Sequence, residues 1–222
     1  MKREIIKTGD GSTTIHLPDW NEQYHSIHGA IQEARHVFIE MGLKKVLQTG
    51  SSDLSILEIG FGTGLNAMVT WEATRNVPVK INYTGIEAYP VEAKEVKELN
   101  FSSEIKEDKA KEIFDRLHSL LWEQPGKLTP HFILHKQKKF FQDITDLEKY
   151  DLVYFDAFGA RVQPELWTAA IFSKMYDALT PGGILVTYAA KGSVRRAMLE
   201  VGFKVEKLPG PPGKREMLRA TK

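Results

Sequence analysis

The sequence predicts an α/β fold: a doubly wound, mostly parallel sheet of seven strands with helices on both faces, a C-terminal antiparallel hairpin and an N-terminal extension. Three observations lead there. Short apolar runs rich in β-branched residues alternate with longer stretches of helical period. Three alternating glycines, Gly60, Gly62 and Gly64, join one of those runs to the helical pattern after it. Near the C-terminus, two more strand-like runs flank Gly210-Pro-Pro-Gly213 with no helix between them, which makes that pair antiparallel.

Taken in order, residues 1–28 are polar, with a turn at Gly9-Asp-Gly11 and an edge strand marked by Ile15 and Leu17. An amphipathic helix is expected over 30–47, so that residues 1–50 form an extension packed on the core and 51–222 form the main body of one structural domain. Residues 55–59 read as a central strand, and Leu65, Met68 and Trp71 open the next helix. A second strand follows over 81–87, helices over 91–99 and 110–122, and strands over 131–135 and 150–155. A helix over 165–179 is closed by Pro181-Gly-Gly183, and a fifth strand runs over 184–188. The helix 191–201 leads into the hairpin of 203–208 and 216–220. There is no internal repeat, low-complexity tract or dividing linker.

Composition narrows the function. The 222 residues carry a formal net charge of +1, so no global cationic field attracts a polyanion and any such partner must meet a local patch. The absence of cysteine excludes disulfides, thiolate metal sites and a cysteine nucleophile. With neither a signal-peptide core nor a long apolar run, the chain is expected to be soluble and cytoplasmic, without a membrane partner.

The segment Leu57-Glu-Ile-Gly-Phe-Gly-Thr-Gly-Leu-Asn66 carries the chemistry. Its glycines sit at a strand's carboxyl end, where the backbone turns sharply and a ligand can approach without a Cβ in the way. The spacing is GxGxG. A dinucleotide fingerprint needs its third glycine one residue later, so the loop favours S-adenosylmethionine (SAM). Glu87 ends the next strand roughly 20 residues further on, where a carboxylate can accept both ribose hydroxyls; the competing reading is an exposed strand-end glutamate. Asp143 follows the third strand, where an adenine amino group needs an acceptor, or it caps a helix beginning at Ile144. Asp156 ends the apolar run Leu152-Val-Tyr-Phe155, at the edge where open α/β sheets bind ligands. With Phe158 and Trp167 it could hold an amine against a methyl donor, or it caps a neighbouring loop.

Other features weigh less. The seven histidines form no HExxH-type spacing, so no metal is expected. Lys136, Lys138 and Lys139 form one basic cluster and Lys191, Arg195 and Arg196 another; both read first as solvated surface. Phe172 and the pair Phe140 and Phe141 read as core.

The chain also resembles a known family. The residues that carry the likeness are Gly29-Ala-Ile-Gln-Glu-Ala-Arg-His-Val-Phe38, the glycine loop, Phe155-Asp-Ala-Phe158 with Pro164-Glu-Leu-Trp167, Tyr188-Ala-Ala-Lys-Gly192 with Arg195-Arg196, and Gly210-Pro-Pro-Gly-Lys-Arg-Glu-Met217. The glycine loop is common to many methyltransferases, whereas the last motifs are narrow. Together they resemble the methyltransferase component of the bacterial enzymes of tRNA 5-methylaminomethyl-2-thiouridine biosynthesis. The resemblance implies a class I methyltransferase fold, SAM as donor, and the aminomethyl nitrogen of a wobble uridine in a tRNA anticodon stem-loop as acceptor. It implies a cofactor set of Glu58, Gly60, Phe61, Gly62, Gly64, Asn66, Glu87 and Asp143, with Asp156 catalytic, either orienting the amine alone or also relaying a proton, and not acting as a strong base. Phe158 and the basic residues Lys191, Arg195, Lys214 and Arg215 are the candidate substrate contacts, the latter because a net charge of +1 leaves only local cations to attract a stem-loop and the fifth-strand exit and closing hairpin could border one face. Many relatives add an FAD-dependent oxidoreductase domain. This chain ends at Lys222 without room for one, so the free 5-aminomethyl form is the expected substrate. The loop Gly159-Ala-Arg-Val-Gln163 departs from the Ala-Pro common in relatives and leaves its geometry open.

Three rivals remain at this level: a SAM-dependent N-methyltransferase of a small amine or a protein, a non-catalytic nucleotide- or RNA-binding module, and an NAD oxidoreductase. The first needs no cationic track, the second no Asp156, and the third is disfavoured by GxGxG and the closing hairpin.

Overall fold

The computed structural model describes residues 2–222. The N-terminal segment is a three-stranded antiparallel sheet of β1 (Glu4–Lys7), β2 (Thr13–Leu17) and β3 (Glu22–Gln23), in the order β1-β2-β3. Ile15 and Leu17 are buried at alternate positions of β2, as a period of two requires. A single edge strand was expected. The short flanking strands take their register from β2, with Ile5 opposite Ile15 and His16 opposite Gln23, a pairing that local composition does not encode.

The helix expected over 30–47 is wound in three ways: α1 (Ala30–Ala34), a π-helical stretch (Arg35–Leu43) and α2 (Lys44–Leu47). The wider π winding turns Val37, Phe38, Ile39 and Leu43 into the core. Gly42 lets this stretch press onto the sheet, since a Cβ there would lie 2.9 Å from Val186 Cγ2.

The main body runs β4 (Asp53–Ile59), α3 (Leu65–Thr74), β5 (Lys80–Glu87), α4 (Ala93–Val96), α5 (Phe101–Glu104), α6 (Ala110–Ser119), β6 (Pro125–Thr129), β7 (Phe132–Lys138), β8 (Tyr150–Phe155), α7 (Ala169–Ala178), β9 (Leu179–Thr187), α8 (Gly192–Glu200), β10 (Lys204–Pro209) and β11 (Glu216–Thr221). The sheet order is β10-β11-β9-β8-β4-β5-β7-β6. The five inner strands are parallel, and β11 joins β9 antiparallel, with Leu218 opposite Thr187. One face buries Phe38, Tyr83 and Tyr154 beneath the first helix and α3, and the other buries Phe155, Phe172 and Met198 beneath α7 and α8.

The doubly wound class therefore stands, with eight strands in place of seven. The added strand, β6, pairs antiparallel with β7 at the sheet's edge. Its sequence, Pro-Gly-Lys-Leu-Thr, has one buried residue, Leu128, and an initial proline that only an edge tolerates, so no local period announces it. Two further corrections concern proline and glycine. Pro181-Gly-Gly183 does not close a helix but lies within β9, whose register against β8 shifts between Tyr150 and Leu152. The helix read over 165–179 begins as a 3-10 turn (Pro164–Trp167), and α7 starts only at Ala169.

From β4 the chain steps to β5 and β7 on one side and to β8 on the other. That reversal leaves a crevice outside the carboxyl ends of β4 and β8. Gly60 and Asp156 leave those two strand ends, and the Asp156 N–H donates to Ile59 O at 2.9 Å.

Candidate active site

The glycine loop is held by backbone geometry. The N–H groups of Gly60 and Phe61 both donate to Ile86 O at 3.0 Å, which ties the end of β4 to β5. Gly60 has φ +86°, and a Cβ there would lie 2.6 Å from the Asp156 carbonyl oxygen. Gly62, at φ +47°, donates its N–H to Glu87 Oε2 at 3.0 Å. Glu87 Oε1 accepts the Tyr89 N–H at 2.9 Å, so this carboxylate braces the loop and still keeps lone pairs for a ligand. Gly64 is the N-cap of α3.

Above this loop opens a cavity of about 960 Å³. Glu58, Gly60, Phe61, Gly62, Asn66 and Glu87 line it from the loop and the adjoining strand ends. The opposite wall comes from the N-terminal segment, with Trp20, Glu22, Tyr24 and His25. Burial pushes the His25 imidazole down to about 4, so the ring is neutral. Its Nδ1 meets Thr14 Oγ1 at 3.1 Å and its Nε2 meets Thr63 Oγ1 at 3.2 Å, fastening the N-terminal sheet to the glycine loop. Sequence reasoning missed this wall. A polar segment with scattered aromatics carries no signal for it, because its partners lie far along the chain.

Beneath the loop, Asn66 Nδ2 donates to Glu58 Oε1 and to Asp156 Oδ2, both at 2.8 Å, while Tyr83 OH donates to Glu58 Oε2 at 2.8 Å. Burial drives the Glu58 carboxyl well above its usual range, opposed by the Tyr83 and Asn66 hydrogen bonds and reinforced by Asp156. Asp156 is raised to about 7, chiefly by desolvation; the Asn66 hydrogen bond and Lys214 pull it down and Glu33 pushes it up. Removing the Tyr83 hydroxyl leaves a buried acceptor unmatched, so Tyr83→Phe is expected to destabilise the fold by about 1–3 kcal/mol in denaturant unfolding. A variant as stable as the parent would mean that Glu58 finds another donor.

The walls around Asp156 are aromatic. Phe158 meets Trp20 and Tyr24 edge-on at 5.8 and 5.0 Å, and Tyr188 OH donates to Ala157 O at 2.8 Å. Trp167, expected beside the amine, instead lies in the core against Phe155 and donates Nε1–H to Phe158 O at 2.7 Å, so it supports the Phe158 loop from behind. Phe172 is fully buried, in keeping with its core reading.

The predicted basic contacts separate. Lys214 lines the cavity, pairs with Glu33 at 2.5 Å and lies 3.9 Å above the Tyr188 ring. Lys214 and Arg215 precede β11, in the hairpin turn. The turn aims Lys214 inward and leaves Arg215 exposed. Lys191 is the exposed N-cap of α8 and Arg195 is half-buried on that helix; neither lines the cavity. Lys136, first read as solvated, is buried with Nζ donating to Leu117 O at 2.9 Å, where it satisfies a carbonyl at the end of α6.

Asp143 lies exposed at the end of a 3-10 turn (Phe141–Asp143), and its neighbour Gln142 lines the cavity. No helix follows at Ile144, which is extended, so the capping alternative falls. At the same end of the cavity, Tyr89 and Phe140 form an edge-on pair at 6.0 Å while remaining 67% and 46% exposed. The core reading of Phe140 is thereby corrected: its ring forms part of the cavity wall.

Residues 102–222 match the family described as S-adenosyl-L-methionine-dependent methyltransferase. The chain belongs to this family. Among individual relatives of this methyltransferase, a tRNA 5-methylaminomethyl-2-thiouridine biosynthesis bifunctional protein MnmC of Aromatoleum aromaticum is 31% identical over 212 residues, covering 90% of the chain and 32% of that protein. The protein of the same name from Delftia acidovorans is 30% identical over 231 residues, covering 99% and 35%. The chain thus spans about a third of the length of the curated relatives it matches. The crystal structure of MnmC2 from Aquifex aeolicus is similar with a TM-score of 0.80 at 28% identity, covering 99% of this chain and 69% of that one. Spermidine synthase from Thermotoga maritima shares the fold alone, at a TM-score of 0.52 and 12% identity.

S-adenosylmethionine is the cofactor of this methyltransferase family, and the cavity fits it. Gly62 keeps clear a gap toward Tyr24 that a side chain would fill, and Glu87 stands at the tip of β5.

Proposed function

We propose that this methyltransferase converts the 5-aminomethyl group of a tRNA wobble (2-thio)uridine to 5-methylaminomethyl, acting in the cytoplasm on the anticodon stem-loop. The observation that carries the reading is Asp156, a carboxyl raised to about 7 at the end of β8 and walled by Phe158 and Tyr188. That is the setting an amine acceptor requires: a hydrogen-bond acceptor that aims the nitrogen, within apolar walls that disfavour its charged form. The names of the relatives supply the substrate class, and among the described residues no helix is long and apolar enough to cross a membrane.

When bound, the cofactor supplies an electrophilic methyl group on a sulfonium. Gly60, Phe61 and Gly62 shape the cradle for it, with Glu58 and Asn66 beneath and Glu87 toward the ribose, while Gly64 lies outside the cavity lining as the N-cap of α3. Asp143 approaches the adenine only if its turn closes, whereas Tyr89 and Phe140 already offer apolar faces there. Asp156 orients the acceptor nitrogen and takes a proton at a carboxylate oxygen, Phe158 excludes water beside it, and Lys214 is held back by Glu33. Alignment of this kind accounts for a large part of the barrier reduction in transfer reactions.

Outside the cavity, Lys191 and Arg195 follow β9, and Arg215 precedes the antiparallel β11, so all three border the same edge of the sheet. They are the proposed phosphate contacts. Arg215→Ala is expected to lower the salt slope of tRNA binding by about one unit without changing cofactor affinity. Lys214→Ala, by contrast, should keep the parental slope and lose turnover. Equal slopes for the parent and both variants would take the hairpin off the RNA face. The activity itself is tested by incubating the protein with labelled SAM and bulk tRNA from cells lacking this enzyme, then identifying the nucleoside. Label in 5-methylaminomethyl(-2-thio)uridine is the expected result; label elsewhere or none refutes the assignment.

A further inference from the structure

We propose that Asn66 Oδ1 and the Asp156 carboxylate together form a two-acceptor seat for a primary amine, which restricts the reaction to one methyl transfer; this rests on the amine-acceptor reading above. Asn66 uses both of its N–H groups within the protein, toward Glu58 and Asp156. Those two acceptors determine which way the amide faces, because turning it over would set its oxygen against both carboxyl groups. Asn66 Oδ1 is left buried, with no donor among the described residues, on a side chain that lines the cavity. A buried acceptor without a donor is unfavourable, so the site is completed by a bound molecule that carries N–H. Asp156 is engaged at Oδ2, and its other oxygen accepts nothing from the described residues.

A neutral primary amine has two N–H groups and one lone pair. With one hydrogen on Asn66 Oδ1 and the other on Asp156, the remaining tetrahedral direction is the lone pair, free for attack. In the transfer, that pair forms the N–C bond, the C–S bond breaks, and its electrons stay on sulfur as a neutral thioether. The secondary ammonium so formed passes one proton to the Asp156 carboxylate. The product then either keeps two hydrogens and has no lone pair, or has a lone pair and only one hydrogen. In the second case one of the two acceptors is unmatched. A second transfer is therefore disfavoured by on the order of ten- to a hundredfold.

The test compares tRNA carrying 5-aminomethyluridine with tRNA carrying 5-methylaminomethyluridine, using the parent, Asn66→Ala and Asn66→Ser, with nucleosides identified by mass spectrometry. Binding of both tRNAs in the presence of S-adenosylhomocysteine is measured alongside. The parent is expected to prefer the primary amine by about tenfold or more in kcat/KM and to bind that tRNA more tightly. In the variants, assayed at saturating SAM, both preferences shrink toward unity and dimethylated nucleoside appears. A parent that methylates both tRNAs equally overturns the proposal even if neither variant folds. Folded variants that keep the parental preference overturn it too, and so does a defect confined to SAM affinity, which would assign Oδ1 to the cofactor. A parent that methylates neither tRNA removes the amine-acceptor reading itself.

Discussion

Replacing Asp156 with alanine is expected to leave SAM affinity near parental and to lower single-turnover methyl transfer by roughly 10²- to 10⁴-fold, the range typical of general acid-base groups. The side chain leaves the end of β8 beside the glycine loop, touches Asn66 and lines the cavity, but contributes no atom to the loop's own backbone bonds. Its ionisation sets the pH dependence. Burial raises the carboxyl to about 7, and only the ionised form accepts a proton, so the parental rate should fall as pH drops through about 7. Asp156→Asn should lower the rate within the same roughly 10²- to 10⁴-fold range and leave the residual rate without that limb. The same shift bears on stability. The folded state holds this proton to a higher pH than the unfolded chain, whose carboxyl titrates near about 4. The group's contribution is therefore complete below that value and is lost as pH rises toward about 7. Asp156→Asn should remove this part of the decline in melting temperature. A variant that transfers methyl groups within about threefold of the parent, far outside the expected range, would make Asp156 structural.

Gly62→Val is expected to weaken SAM binding by about tenfold or more while the protein remains folded. The backbone sits at φ +47°, where a non-glycine residue is disfavoured by roughly 1–2 kcal/mol. The N–H bond to Glu87 holds it there. A Cβ would also come within 3.1 Å of Tyr24 Cδ1, so a branched side chain must push Tyr24, the wall facing the loop, or move the loop away from Glu87. Either movement disturbs the cradle, whereas the parallel pairing of β4 with β5 and β8 is untouched. Calorimetry on the folded variant checks this, and unchanged affinity would take the loop out of the cofactor site.

The inner sheet was legible because its signals are local. Leu57 and Ile59 are fully buried in β4, and Gly60, Glu87 and Asp156 follow strand ends that period and apolar content mark out. The edge strand β6 was not legible, because one buried leucine makes no period and its partner β7 supplies the pairing. The sequence reading grouped Lys214 with Arg215 as substrate contacts, whereas the fold gives the two different surroundings. Charge and neighbours read alike for Lys214 and Arg215, and only the turn before β11 separates the inward cation from the exposed one.

By itself the sequence determined the α/β class, the glycine turn and the carboxylates at the strand tips, since glycine spacing and hydrophobic period act through adjacent residues and the alternation of strands with helices implies a parallel sheet. Tertiary structure alone decided that Trp20, Tyr24 and His25 close the cavity from the N-terminal sheet, that Glu33 holds Lys214 over Tyr188, and that one amide joins Glu58 to Asp156. Each of these depends on groups distant in sequence meeting at hydrogen-bond or van der Waals range, and on the desolvation that follows when they do. Such enclosure is a property of the folded chain, and it raises Asp156 into the range where it can exchange a proton.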